Sequence, residues 1–288
     1  MDWLVVTVIA IFSRAFYSVS VKSMSSNVKV SASMQAVLLT LLAALLTLLL
    51  VPFLGFSTEG ISQNWKIILV LAVSQGVGNV IYFRGQEHLD AGTTQVALSS
   101  MLIWTALLSA LFLGSSYSVR QYLGMVLLGI CILFANSRTK GAAIAAKGIA
   151  YILVSAVVFS VFVVAGADLS SKINIVTYLL ATYLGASIFS ILGLHKTFRR
   201  DVGYLKANLT HSIKSTSLAS ITSLLYFMLI FYAFRLSPDP GVVAVLANAQ
   251  VVTTVFVAAI LLQERERIFR KSISALIVLL AAYLISGV

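Results

Sequence analysis

Runs of roughly 18 to 23 mostly apolar residues follow one another along almost the whole chain, and each is long enough to cross the hydrocarbon core of a bilayer as a helix. In that medium every backbone N–H and C=O needs a partner inside the protein, which leaves helices or a closed barrel. A barrel strand alternates polar and apolar side chains. The stretch LLTLLAALLTLLL at 38–50 is apolar on all sides, so the expectation is helix. The fold class read from these runs is all-α integral membrane, with ten transmembrane helices at 3–21, 32–54, 66–83, 92–113, 119–136, 149–167, 174–194, 214–234, 241–262 and 272–287. Hydrophobic residues make up 60% of the chain and charged ones only 10%, far from the soluble average of about 25% charged. Residues 3–21 are expected to stay as a span rather than be removed as a leader, because the start MDW is acidic and Arg14 interrupts the apolar region.

The order of the spans repeats. Each half has a span, a polar loop, two spans, a fourth span opening on glycine, a basic turn and a fifth span. Shifting the chain by 149 residues aligns 92–114 with 241–263, where Gly92/Gly241, Val96/Val245, Thr105/Thr254, Ala110/Ala259 and Leu113/Leu262 are identical. Five is odd, so a second copy enters the membrane in the opposite sense: two inverted five-helix repeats, 1–137 and 149–288, joined by a linker at 138–148. Inverted repeats place a substrate site near the midplane at their interface. The three prolines, Pro52, Pro238 and Pro240, lie at span ends, so no broken helix is expected.

Charge sets the expected orientation. The net charge is +11, and no soluble portion exists to hold a nucleic acid, so the excess reads as topology and attraction to anionic lipid. Of the 20 Lys and Arg, 15 fall in odd-numbered loops and four in even ones, with Arg14 the remainder. The positive-inside rule puts the odd loops in the cytoplasm and both ends of the chain outside an inner cell membrane.

Arg14 lies 11 residues beyond Trp3, about 16 Å into the membrane at about 1.5 Å per residue. Burying its charge costs about 2.5 to 3.5 kcal/mol on the lenient insertion scale. All nine carboxylates lie at span ends or in loops. Arg14 therefore bonds to polar groups and carbonyls of neighbouring helices, or it receives an anionic group of a substrate. Tyr17 and Ser18 share its helix face. Gln75, Asn79 and Tyr82 form a second stripe on the third span. They either line a wet cavity or serve as interhelical glue, since Gly76 and Gly78 permit close packing. Ser99 and Trp104 on the fourth span, Tyr226 on the eighth, and Asn248 with Gln250 on the ninth complete the candidate substrate-binding set. Trp104 stands mid-span, as a stacking surface or simply as core.

Other chemistry is excluded or disfavoured. One cysteine, Cys131, permits no intramolecular disulfide and no paired-thiolate metal site, and it reads as lipid-facing or as packing filler. His88, His195 and His211 match no metal spacing, and no catalytic motif is visible, so neither cofactor, metal nor enzyme activity is expected. Proton-coupled exporters of cations use a buried carboxylate. For that rival the likeliest carboxylate is Asp168.

The segments YFRGQEHLDAGTTQVALSSMLIWTALLSALFLGSSYSVRQYLGMVLLGICILF, 82–134, and FYAFRLSPDPGVVAVLANAQVVTTVFVAAILLQERER, 231–267, resemble the drug/metabolite transporter superfamily, in its ten-helix EamA-like members. Two details depart from the family pattern. Ser115 stands where the first repeat commonly has the turn glutamate found here as Glu264, and Val251 replaces a common proline. The resemblance implies a secondary transporter of a small molecule working by alternating access. It places a central cavity among helices 1 to 4 and 6 to 9, buttressed by helices 5 and 10. With Arg14 as its only central charge, the expected cargo is a small polar metabolite such as an amino acid or organic anion. Intramembrane enzyme activity is the least favoured alternative.

Overall fold

The computed structural model describes residues 3–113, 118–136, 142–170, 172–194, 197–237, 243, 247, 250–263 and 268–286, and every regular element among them is an α-helix. In chain order these are α1 (Trp3–Asn27), α2 (Ala32–Leu48), α3 (Val51–Leu54), α4 (Ile61–Gln86), α5 (Ala91–Leu98), α6 (Met101–Leu113), α7 (Val119–Asn136), α8 (Ala142–Ser170), α9 (Ile175–Ile191), α10 (Phe198–Ala207), α11 (Leu209–Leu236), α12 (Gln250–Leu261) and α13 (Ile268–Ser286). Side chains set several starts: Ser31 accepts from the Met34 amide, Asp90 from that of Thr93, and Asn174 from that of Val176. Four described stretches, Trp3–Asn27, Ile61–Gln86, Ala146–Ser170 and Leu209–Leu236, are by length and hydropathy alone able to cross a membrane.

Sidedness appears on α1. Leu4, Val8, Phe12 and Phe16 stand four apart and are all exposed, an apolar stripe suited to lipid. Ala10, Ala15, Tyr17 and Val21 on the other side are buried.

Helices pack mainly across the two halves. α1 lies against α11, and α4 against α8; α1 touches α12, and α6 touches α8; α4 meets α9, and α11 meets α2. Numbering the spans one to ten, each of these pairs maps onto its companion when a span is exchanged for the one five places away. The contacts α2 with α9 and α7 with α13 map onto themselves. This is the pattern of a pseudo-twofold arrangement.

The fourth span differs from expectation. Residues 92–113 do not form one helix: α5 ends at Leu98 and α6 begins at Met101. Between them Leu102 bonds to the carbonyl of Ser99 and Ile103 to that of Ser100, bonds of the tighter i to i−3 type. The Ser99 hydroxyl donates to the Val96 carbonyl at 2.6 Å, competing with the backbone for an acceptor. An interruption without Gly or Pro is therefore available to a serine pair.

The polar segment 195–214 also departs from a plain loop, because it contains α10. Val202 and Leu205 pack partly buried against the main hydrophobic cluster while Arg199 and Lys206 point outward. Asp201 is fully buried, accepting from the Ser31 hydroxyl at 2.5 Å, the Ser31 amide at 3.3 Å and Arg200 at 3.1 Å. Burial alone would raise its pKa, but the hydrogen bonds from Ser31, Thr197 and Arg200 outweigh that and hold it below the ordinary carboxylate value. A depressed native pKa stabilises the fold above the unfolded value, and this contribution disappears as pH falls through the native one. Asp201→Ala should lower stability by about 1 to 3 kcal/mol at neutral pH. In thermal unfolding its deficit relative to the parent should shrink on acidification below the carboxylate range.

Candidate functional site

One end of the bundle is tied shut. The Lys22 ammonium donates to the carbonyls of Gln86 at 2.7 Å and Leu89 at 2.6 Å, and Lys271 pairs with Asp90 at 3.0 Å. Deeper in, the Tyr82 hydroxyl accepts from the Gln86 amide at 2.9 Å and the Gln95 amide at 3.1 Å. With two donors already aimed at it, its own O–H is left to donate elsewhere.

Arg14 sits 11 residues after the start of α1 and 13 before its end. Its guanidinium carbon lies 4.8 Å from the centre of the Tyr17 ring and 4.9 Å from that of Tyr226 on α11. Such cation–π contacts are worth about 0.5 to 2 kcal/mol and leave the N–H edges open for an acceptor. Nε is buried without a hydrogen-bond partner. No ion pair to Arg14 exists among the described residues.

A cavity of about 50 Å³ adjoins this group. Arg14, Tyr17, Gln75, Asn79, Tyr82 and Tyr226 all line it, so six of the sequence candidates converge from α1, α4 and α11. Gln75 Oε1 and Asn79 Nδ2 are buried and unbonded, one acceptor and one donor. Gly76 faces elsewhere, since its Cβ would lie 2.7 Å from the Ala186 carbonyl, whereas Gly78 shares the Gln75 and Tyr82 stripe and its Cβ would lie 2.6 Å from the ring of Phe159, a wall of the same cavity. On α4, Gly76 thus packs against α9 away from the polar lining, while Gly78 lets the Phe159 wall of the cavity come close.

A second space of about 100 Å³ shares Met101, Phe162, Val163, Tyr226 and Phe227 with the first. It extends toward Ser170, Tyr178 and Phe234, near the end of the bundle that carries Trp3. Its walls are mostly aromatic and aliphatic, with Thr105 and Gln250 among the polar exceptions.

The remaining candidates divide. Gln250 lines the second space rather than the first. Ser99 is buried and spends its hydroxyl on the helix, outside both linings. Trp104 is partly buried against the main hydrophobic cluster and lines neither space, so the stacking role gives way to core packing. Asn248 lies outside the described residues. Cys131 is buried, with its thiol donating to the Ser274 carbonyl at 3.1 Å, and so is packing filler. α2 lines neither space, contrary to the expectation that helices 1 to 4 all contribute.

A family model described as EamA-like transporter family matches residues 1–137 and again 146–287, two copies covering nearly the whole chain. This chain belongs to the EamA-like transporter family. It is an integral membrane protein of a family that transports small molecules. A search of curated proteins finds no match. A solved structure titled "Crystal structure of protein" aligns with a TM-score of 0.62 over 97% of this chain and 95% of its own, at 14% identity, a likeness of fold alone.

In this EamA-like transporter the carboxylate required by the cation-exporter alternative is not where that reading needs it. Asp168 is half-exposed and bonded to Lys172 at 2.6 Å, away from both spaces. Met101, Phe159, Phe162, Val163 and Phe227 are lining residues that sequence reasoning missed. Their composition matches that of lipid-facing and core residues, so nothing in the string distinguishes them.

Proposed function

We propose that this EamA-like transporter carries a small metabolite with a carboxylate or similar anionic group, an amino acid or organic anion, across an inner cell membrane by alternating access. The observation that carries the reading is Arg14: a half-buried full charge midway along α1, stacked on two tyrosines, with Nε unbonded and no carboxylate beside it among the described residues. A cation so placed is costly unless an anion joins it. Asn79 Nδ2 and the Tyr82 hydroxyl add donors, while Gln75 Oε1 offers an acceptor to an ammonium or hydroxyl of the same molecule. The adjoining aromatic space suits an apolar remainder. Ties at the Lys22 end, with the second space reaching toward the opposite end, agree with one state of an alternating cycle.

Counterflow in proteoliposomes tests the proposal. Free carboxylates should exchange, while their methyl esters and simple organic cations should not. Equal exchange of acid and ester would remove the role given to the anion. Tyr226→Phe keeps the ring over Arg14 and should leave affinity within about threefold, whereas Tyr226→Leu, which removes an interaction of about 0.5 to 2 kcal/mol, should weaken it by roughly 2- to 30-fold.

A further inference from the structure

At the closed end, on the side where the basic loops gather, a recess of about 350 Å³ opens among Ser31, Arg84, His88, Lys147, Thr197 and Arg200. It is separate from the central cavity and shares none of its lining. We propose that this recess binds the phosphate of an anionic phospholipid headgroup and that the bound lipid holds this end of the bundle closed.

Four observations support this. Charge is the first: Arg84, Lys147 and Arg200 face the space together, with Glu87 the one carboxylate among the lining residues. Asp201, just beneath, is already occupied by Ser31 and Arg200. The second is availability, since Arg84 and Lys147 are exposed and form no ion pair or hydrogen bond among the described residues. Geometry is the third: Ala32 and Ser33, the first residues of the 17-residue helix α2, line the space, and first-turn amides with no carbonyl of their own helix to bond attract phosphate. His88 stacks on Tyr151 with ring centres 6.4 Å apart, forming an aromatic wall.

The fourth observation identifies lipid as the source. α10 adjoins the recess through its N-cap Thr197 and Arg200, and exposed apolar side chains, Ile191 and Leu192 at the end of α9 and Phe198 on α10, stand beside it. Phe198 is exposed, Val202 and Leu205 turn inward, and Arg199 and Lys206 are exposed. Exposed apolar side chains beside exposed basic ones suit the boundary between acyl chains and headgroups. Basic pockets between membrane helices on the positive side are suited to acidic headgroups. The walls come from α4 and the start of α2 on one side and from α8 and the α9–α10 connection on the other. One ligand would therefore bridge segments of both repeats.

The test uses the full-length protein purified in a neutral detergent, with its unfolding midpoint followed as short-chain phosphatidylglycerol, short-chain phosphatidylcholine or inorganic phosphate is added. Phosphatidylglycerol should raise the midpoint and phosphatidylcholine should not. In Arg84→Gln/Lys147→Gln the apparent affinity should fall on the order of tenfold or more, while Arg120→Gln, outside the recess, should keep the parent's response. Because both altered side chains are exposed, the double variant should fold, which a sharp unmodified midpoint without lipid verifies. If it misfolds, phosphatidylglycerol retained by the parent through native mass spectrometry and displaced by added phosphate supplies the same reading. Equal shifts from both lipids, or a full response in the double variant, overturn the site. A full response to inorganic phosphate alone overturns the lipid source and leaves a soluble phosphate ligand.

Discussion

Arg14→Gln should weaken carboxylate binding by roughly 10- to 150-fold, the loss expected when a charge-assisted hydrogen bond of about 1.5 to 3 kcal/mol disappears. The same substitution should leave the ligand-free protein as stable as before, or more so. It removes a half-buried charge within a membrane span that no carboxylate among the described residues balances, and it leaves Tyr17 and Tyr226 to pack on a neutral side chain. A residue retained for structure predicts the opposite, since removing it would strand its partners. Arg14→Lys keeps the charge but loses the planar fork that lies over two rings, so an intermediate loss is expected. Equilibrium binding and thermal unfolding measured on the same three preparations separate the cases. Destabilisation of the Gln variant with unchanged affinity would overturn the anchor role.

Gly76→Ala should be the most damaging single methyl that can be added to α4. The new Cβ would lie 2.7 Å from the Ala186 carbonyl and 2.9 Å from the Phe189 Cβ, with backbone on one side and no flexible side-chain end to yield. Over-packing of this kind costs about 1 to 3 kcal/mol, and displacement of α9 would carry Tyr178 and Tyr183 with it. Gly203→Ala in α10 provides the contrast, because nothing lies within 4 Å of its added methyl. There the helix preference of alanine should stabilise by about 0.5 to 1 kcal/mol. Unfolding midpoints of both variants against the parent check the pair, and equal effects would mean that the α4–α9 contact is looser than described.

The spans and Arg14 are visible in the sequence for the same reason. Hydrocarbon penalises polar groups so heavily that an apolar run shows a span and a charge within it shows an exception. The Gln75, Asn79 and Tyr82 stripe follows from helical period, and the structure brings all three to Arg14. Phe159, Phe162 and Met101 were hidden because lipid, protein core and cavity wall all accept the same apolar side chains. The Ser99–Ser100 interruption was hidden because the expectation relied on Gly and Pro as breakers. For α10 a signal did exist: Phe198, Val202 and Leu205 have helical spacing, but the surrounding charges made 195–214 look like a plain loop.

Cross-repeat packing bears on how the chain is made. Spans emerge from the ribosome in order, yet α1 finds its main neighbour in α11 and α4 in α8. The first five helices therefore enter the bilayer with their future contact faces turned to lipid, and wait for the second copy before the bundle can close. The Arg14 face of α1, whose main neighbour is seven spans away, is consequently exposed longest during biosynthesis, when a misplaced partner helix could seize it.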